Sequence, residues 1–209
     1  MTLDVWLAFF AACWVISLSP GAGAIASMSS GLQFGFLRGY WNVIGLQIAL
    51  AIQILIVAAG VGAILTASAL AFNLIKWFGV AYLIYLAVKQ WQQKPSEIRT
   101  EQQAVKNVNP MALIAKGFLV NISNPKAIVF ILAVLPQFID PAKSLVPQYS
   151  LMMLTMIAVD MIVMAGYTCL AAKVLLFLRT PRQQRILNRS FASMFVGAAS
   201  LLSLVHRSS

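Results

Sequence analysis

The sequence predicts an all-α integral membrane protein with six transmembrane helices, arranged as two inverted repeats of three helices. Of its 209 residues, 61% are hydrophobic and 10% are charged, and the mean hydropathy is +0.86. A soluble domain has about 25% charged residues, so this chain has too few to cover a surface that faces water. Between Arg38 and Lys76 no residue is charged, a stretch far longer than the ~18 apolar residues that indicate a spanning helix.

Six spans fit the hydrophobic pattern, each near the ~20 residues that a bilayer requires. They cover residues 4–28, 41–65, 68–88, 113–138, 149–172 and 187–206. The long polar stretch at 89–112 is predicted to be a linker between the third and fourth spans. We therefore expect a single membrane transport domain, residues 1–209, made of repeat 1 (about 1–88), the linker, and repeat 2 (about 113–209).

The basic residues predict the orientation of the chain. Most lysines and arginines fall on the side that would hold the first, third and fifth connections, whereas Lys143 and Arg207 fall on the other side. Cytoplasmic loops carry the excess of positive charge, so the linker is expected in the cytoplasm and both termini outside. Because each half has an odd number of spans, the halves would insert in opposite orientations, which is the plan of many transporters.

A proline interrupts the leading span of each half. In the first span the sequence SPGAG contains Pro20, Gly21 and Gly23, and in the fourth span the sequence NPK contains Pro125. Proline removes a backbone donor, and freed backbone groups are tolerated at membrane depth only in a protein interior or a wet cavity. Either break alone is typical of a simple kink, but two breaks in corresponding spans indicate a transport site.

Three motifs at these positions resemble the LysE/RhtB family of bacterial amino-acid efflux proteins. They are SPGAGAIASMSSGLQFGFLRG at 19–39, IKWFGVAYLIYLAV at 75–88 and NISNPKAIVFILAVLPQF at 121–138. The resemblance is strongest to exporters of homoserine and homoserine lactone. It implies a multi-pass carrier of the bacterial inner membrane with six spans, exporting small amino acids or their lactones. The family's usual Pro-Gly-Pro is here Pro20-Gly21-Ala22, a departure that bears on the rigidity of the break and on substrate preference.

The candidate residues for the transport pathway lie at the two breaks and at one acidic position. They are Ser19, Pro20, Gly21 and Gly23 at the first break, Asn121, Asn124, Pro125 and Lys126 at the second, and Asp160. A carboxylate near mid-bilayer costs about 3 kcal/mol, so Asp160 is a functional candidate. It would meet a substrate ammonium or carry a proton, and the alternative is a structural ion pair with Lys126 or Lys76. Lys126 is the candidate partner of a substrate carboxylate, or of Asp160.

Three other features are assigned structural roles. Gly31, Gly35 and Gly39 are spaced as two GxxxG steps and predict close helix packing. Three aromatic residues at the end of the third span, Tyr82, Tyr85 and Trp91, predict an interfacial belt. Gln47 and Gln53 are polar groups that would line the pathway or bond a neighbouring helix.

The sequence predicts no enzyme activity, cofactor or metal site. Cys13 and Cys169 are isolated, and His206 stands alone near the end of the chain. No GxxxxGK[ST] motif is present, so secondary transport driven by the proton gradient is favoured over ATP-driven export. The formal charge of +10 includes no basic patch interleaved with aromatic residues, so nucleic acid is not an expected partner.

Other functions and partners follow from the same features. The alternatives to an exporter are a membrane redox protein, for which residues 111–138 lack a matching cysteine, and a channel or a non-transporting membrane subunit. The expected partners are a small amino-acid substrate and the lipid bilayer. Self-association into a homo-oligomer is left open.

Overall fold

A computed structural model describes residues 1–67, 69–92, 109–171 and 180–203. Its helices are α1 (Leu3–Leu18), α2 (Ala22–Ala67), α3 (Ala69–Gln92), α4 (Pro110–Ile122), α5 (Pro125–Val134), α6 (Leu145–Cys169) and α7 (Pro181–Ser203), with a short 3₁₀ helix at Leu135–Phe138. No strand occurs in these ranges, which confirms the predicted all-α class.

Apolar helices long enough to cross a membrane are present. In the described ranges two stretches are long and apolar enough to span a membrane: Ala22–Gly60, whose helical geometry is interrupted at Gly35, and Leu145–Cys169. Pro110–Ile122 and Pro125–Phe138, bent by 56° relative to each other, make a third if the pair counts as one span. α1 is apolar, but its 16 residues are shorter than a full span. Helical residues lie at all six predicted positions.

Helix boundaries differ from the prediction around the linker and the last span. α3 continues to Gln92 and α4 begins at Pro110, so both ends of the predicted 89–112 linker are helical. The remaining linker residues, 93–108, lie outside the described residues. α7 begins at Pro181, earlier than the predicted start at residue 187.

Both predicted helix breaks are observed. α1 ends at Leu18 and the chain resumes helical geometry at Ala22, on the other side of Pro20. α4 ends at Ile122, and α5 begins at Pro125 with Asn124 as its N-cap. The Asn124 Oδ1 accepts a hydrogen bond from the backbone N–H of Lys126, at 3.1 Å. An asparagine cap followed by proline at the first helical position is a strong helix start, so this break is specified locally.

The chain reverses direction within α2, at Gly35. This glycine has φ 73° and ψ 175°, a conformation that is essentially restricted to glycine. On either side the chain forms two arms, residues 22–34 and residues 36–67. A Cβ placed on Gly39 would lie 2.7 Å from the Ser30 carbonyl group, and one on Gly23 would lie 3.6 Å from the Leu46 side chain. The arms therefore pack against each other as an antiparallel helical hairpin.

The predicted role of the glycine series is correct at its ends and wrong in the middle. A Cβ on Gly31 would collide with the Thr168 backbone of α6, and one on Gly39 would collide with the first arm. These two glycines therefore permit close helix contact, as predicted. A Cβ on Gly35 would meet nothing within 4 Å, so this glycine serves the reversal of the backbone and not helix packing.

Contacts between the other helices centre on α2. It packs against α4 and α6, while α3 packs mainly against α7 and α1 against α6. The Trp6 indole donates to the Thr155 hydroxyl at 3.1 Å, and the Tyr167 hydroxyl donates to the Leu18 carbonyl at 2.7 Å. The contact nearer the start of α1 involves the start of α6, and the contact at the end of α1 involves the end of α6. The two helices therefore run parallel. A buried apolar cluster shared by α1, α2, α3, α5, α6 and α7 forms the core.

Replacement of Gly35 by alanine tests the reversal. The Gly35→Ala variant should lose about 1–3 kcal/mol of stability, because alanine is strained in this conformation. The matched control is Gly166→Ala in α6, where an added Cβ meets nothing within 4 Å and helix propensity favours alanine by about 1 kcal/mol. Thermal unfolding in detergent measures both. A Gly35→Ala protein as stable as the control would contradict the strained turn.

Candidate functional site

A cavity of about 60 Å³ lies where the two helix breaks meet. This is several times the space that one water molecule occupies. The predicted site residues in its wall are Ser19, Gly21 and Gly23 from the first break, Asn121, Asn124 and Lys126 from the second, and Asp160 from α6. Pro20 and Pro125 lie in the breaks themselves. The structure thus brings the two breaks and Asp160 together around one space.

The Lys126 side chain crosses from the second break to the first. Its ammonium group donates to the backbone carbonyls of Ile16, at 2.9 Å, and of Ser19. These carbonyls lie at the end of α1, where no following turn supplies donors, and a cation is favoured at this negative end of a helix. An ammonium group has three N–H donors. Two are used here, which leaves one for a ligand in the cavity.

The first break leaves room for this lysine because it contains glycine. A Cβ on Gly21 would lie 3.4 Å from the Lys126 Cδ and 3.6 Å from its Nζ. A larger side chain at this position would therefore meet the lysine stem. On its other side the Lys126 ammonium lies 6.0 Å from the centre of the Phe195 ring in α7.

Two tyrosines hold carbonyl groups at the breaks. Tyr167 of α6 donates to the Leu18 carbonyl at 2.7 Å, and Tyr82 of α3 donates to the Pro125 carbonyl at 3.1 Å. Each break is thus tied to a helix that lies far from it in sequence. The prediction placed Tyr82 in an interfacial belt. The Tyr82 hydroxyl bonds the second break, and its place at the membrane interface stays a prediction.

Asp160 lies on the α6 wall of the cavity with a polar partner of its own. The Gln47 side-chain amide donates to the Asp160 Oδ2 at 2.7 Å, and Ser17 lines the same cavity. Lys126 lines the same cavity, but no ion pair within 4 Å joins these two described residues. The Lys76 side chain, the other predicted partner, lies outside the described residues.

Three residues that act at the site were not among the predicted site residues. Ser17 and Tyr167 were not considered, and Gln47 was left with two possible roles. Gln47 is polar within an apolar run, which was the available signal, and its Oε1 has no partner in the described structure. The Ser19 hydroxyl, also without a partner there, is buried in the cavity wall.

Asn121 joins α4 to the second arm of α2. Its side-chain amide donates to the Leu46 carbonyl at 2.8 Å, and its own backbone carbonyl accepts from the Gln53 side chain at 2.9 Å. Asn121 also lines the cavity. Its amide nitrogen is nevertheless engaged in fixing the position of the second break.

The described residues contain no evident redox or metal centre. Cys13 is buried in the apolar core and Cys169 is exposed, and both are free thiols. No group of three or more His, Cys, Asp and Glu side chains in this part of the chain could hold a metal ion.

Comparison with known proteins identifies the family. The LysE type translocator family matches residues 14–205. The chain belongs to this family. It is 42% identical to an uncharacterized membrane protein of Vibrio cholerae serotype O1 over 203 residues, covering 97% of this chain and 98% of that protein. It is 37% identical to the homoserine/homoserine lactone efflux protein of Salmonella typhimurium over 204 residues, covering 97% and 98%.

A more distant relative in the LysE type family is the leucine efflux protein of Enterobacter sp. strain 638, 26% identical over 208 residues, with 98% of this chain and 97% of that protein covered. No solved structure matches the chain. The family consists of translocators and not of enzymes. With its apolar helices, the chain is a multi-pass protein of the bacterial inner membrane.

Removal of one tyrosine hydroxyl tests how the first break is held. The Tyr167→Phe variant should lose about 1 kcal/mol of stability, because the Leu18 carbonyl loses its donor. Tyr149→Phe is the matched control, since the Tyr149 hydroxyl is buried without a partner in the described structure. That change should be neutral or stabilising. Equal melting temperatures for the two variants in detergent would show that the Tyr167 bond does not support the break.

Proposed function

We propose that this protein exports small amino acids, homoserine and homoserine lactone among them, across the bacterial inner membrane in exchange for protons. One observation carries the proposal: Asp160 and Lys126 face a common cavity at two helix breaks without pairing with each other. Charged groups within membrane helices are costly and mark substrate or proton pathways. The efflux activities named for the Salmonella and Enterobacter relatives support the same substrate class.

The cavity has the polarity that a zwitterion requires. The Asp160 carboxylate receives the substrate ammonium group, and the unused N–H of Lys126 donates to the substrate carboxylate. Met156, Met164 and Leu50 line the same cavity and suit a short side chain with an apolar stem. Oppositely charged ends of the substrate thus meet fixed opposite charges, which favours one orientation.

Coupling to protons follows from competition at Asp160. A carboxylate can hold a proton or pair with an ammonium group, and a membrane interior disfavours the bare charge. In the proposed cycle the substrate ammonium leaves Asp160 toward the outside, a proton replaces it, and the proton is released to the cytoplasm. The Gln47 amide supplies a donor to the carboxylate between these events. Because the Asp160 carboxylate binds either the substrate or a proton, but not both, substrate export is coupled to proton import.

For the architecture we propose a single transport domain over residues 1–209, with six spans as two inverted repeats and the linker in the cytoplasm. The broken pairs, α1 with the first arm of α2 and α4 with α5, are the leading spans of the two repeats. In such an arrangement all odd-numbered spans run in one direction. The parallel course of α1 and α6, the proposed first and fifth spans, supports it.

Replacement of Asp160 tests the exchange mechanism in proteoliposomes. The Asp160→Asn variant should lose proton-driven uphill export of homoserine, and also substrate-for-substrate exchange, by at least tenfold, because the amide binds neither a proton nor an ammonium group as an anion does. The matched control is Asp140→Asn. Asp140 lies outside the proposed spans and bonds the Lys143 ammonium at 3.1 Å, an interaction that lowers the pKa of its carboxyl. That variant should transport normally.

The two assays separate the possible roles of Asp160. Loss of uphill export with exchange retained would show that the carboxylate carries the proton alone, and that the substrate ammonium binds elsewhere. Retention of both activities would contradict the proposed site. A wild-type protein that exports none of homoserine, homoserine lactone or leucine would contradict the proposed function itself.

A further inference from the structure

Three polar residues continue from the cavity toward the Gly35 turn. Ser27 and Ser30 lie on the first arm of α2 and Asn42 lies on the second, and each has an exposed fraction of 0%. Both polar atoms of the Asn42 side chain and the Ser30 hydroxyl have no hydrogen-bond partner in the described structure. The Asn42 Oδ1 faces α4, where a Cβ on Gly117 would lie 3.1 Å from it. Unpartnered polar groups are therefore buried where the two arms meet each other and the helices that pack on them.

The register of the hairpin places these residues in one series. Gly23 lies against Leu46, and Gly39 lies against Ser30. Ser27 lies four residues after Gly23, and Asn42 lies four residues before Leu46. Because the arms are antiparallel, Ser27 and Asn42 lie at the same level. The Ser27 hydroxyl contacts the Met164 sulfur at 3.5 Å, and Met164 lines the cavity. The series therefore begins at the cavity wall and ends near the turn.

Burying these polar groups without partners lowers the stability of the protein, which is not expected of ordinary core residues. A buried polar group without a partner costs about 1–3 kcal/mol, and apolar groups of the same shape avoid that cost. Native proteins contain few such groups, and each needs an explanation. Asn42 carries two unpartnered atoms, and the neighbouring residue Val43 packs into the apolar core.

The side of the cavity away from Gly35 is lined mostly by apolar residues. The residues with an exposed fraction of 0% in the apolar core cluster here are Phe9 and Cys13 of α1, Ile131 of α5, Leu135 of the 3₁₀ helix and Met152 of α6. The ring centres of Phe9 and Phe138 lie 5.3 Å apart in an edge-to-face contact. Apolar groups make up most of this side, although the buried Gln137 amide and the buried Tyr149 hydroxyl there also lack partners in the described structure. The polar series that begins at the cavity wall, where Ser27 contacts Met164, lies on the Gly35 side.

We propose that Ser27, Ser30 and Asn42 form the cytoplasmic half of the substrate path. The inference rests on the proposed function for its direction, because Arg38 and the other basic residues assign the Gly35 side to the cytoplasm. The path opens when the two arms of α2 separate, and their polar groups then bond the passing zwitterion and water. In the closed form described here, the backbone contact between Gly39 and Ser30 shuts the path.

Cysteine labelling tests the path without a transport assay. In a background of Cys13→Ala and Cys169→Ala, the Asn42→Cys and Val43→Cys variants are treated with a membrane-impermeant maleimide. Inside-out vesicles expose the cytoplasmic face, and right-side-out vesicles expose the other. The Asn42→Cys variant should react at least tenfold faster than Val43→Cys in inside-out vesicles, and it should not react in right-side-out vesicles. Val43 is the control because it lies at the same depth on a core-facing side.

The outcomes for the path and for the proposed function are distinguishable. Equal reactivity of the two variants, or reaction of Asn42→Cys from the outside only, would overturn the path even if wild-type protein exports homoserine. Selective cytoplasmic labelling supports the path even if homoserine is not the cargo, in which case the proposed substrate fails alone.

A second variant guards against misfolding of the cysteine proteins. Asn42→Leu replaces the unpartnered amide by an apolar group of similar size and should raise the melting temperature. If Asn42 lies in the path, this more stable protein should lose at least tenfold in homoserine efflux. Higher stability with normal efflux would show that Asn42 is a core residue and would overturn the proposal.

Discussion

The hydrogen bonds from the Lys126 ammonium to the carbonyls of Ile16 and Ser19 are the contacts on which the site depends. They supply donors where α1 ends inside the protein, and they do so from the other broken span. A helix end without such partners would be expensive at membrane depth. The same lysine is positioned by its own break, because Asn124 caps the helix that begins at Pro125. The second break thus supplies the donor that the end of α1 needs, and the carbonyls of the first break supply the acceptors for Lys126.

This arrangement explains why two opposite charges occur close together without forming an ion pair. Lys126 is held by helix carbonyls and Asp160 by the amide of Gln47. A direct pair would satisfy both charges and leave neither available to a substrate. Neutral partners that bond each charge only in part keep both charges accessible from the cavity. The cost of burial is then offset in part by the protein and in part by the ligand.

The sequence was sufficient for features that depend on local chemistry. Proline and glycine at 20–21, and asparagine followed by proline at 124–125, determine where the helices break, so both breaks were predictable. Asp160 stood out because a carboxylate is rare in an apolar helix. The features that could not be predicted depend on contacts between distant segments. The tyrosine bonds at Leu18 and Pro125 and the pairing of Gln47 with Asp160 are of this kind. Gly35 was misassigned because its GxxxG spacing is also that of packed helices, whereas its positive φ is visible only in the structure.

The central claim is that Lys126 and Asp160 bind opposite ends of a zwitterion, and the two proposed substrates offer a direct measurement. Homoserine carries a free carboxylate, whereas its lactone keeps the ammonium group but has the carboxylate closed into an ester. Exchange of both substrates is measured in proteoliposomes containing wild-type protein and the Lys126→Met variant. The account predicts that kcat/KM falls at least tenfold more for homoserine than for the lactone, which corresponds to about 1.4 kcal/mol of lost contact with the carboxylate. Any effect of the lysine on the helix break affects both substrates and cancels in the ratio. An equal loss for homoserine and its lactone would contradict the claim.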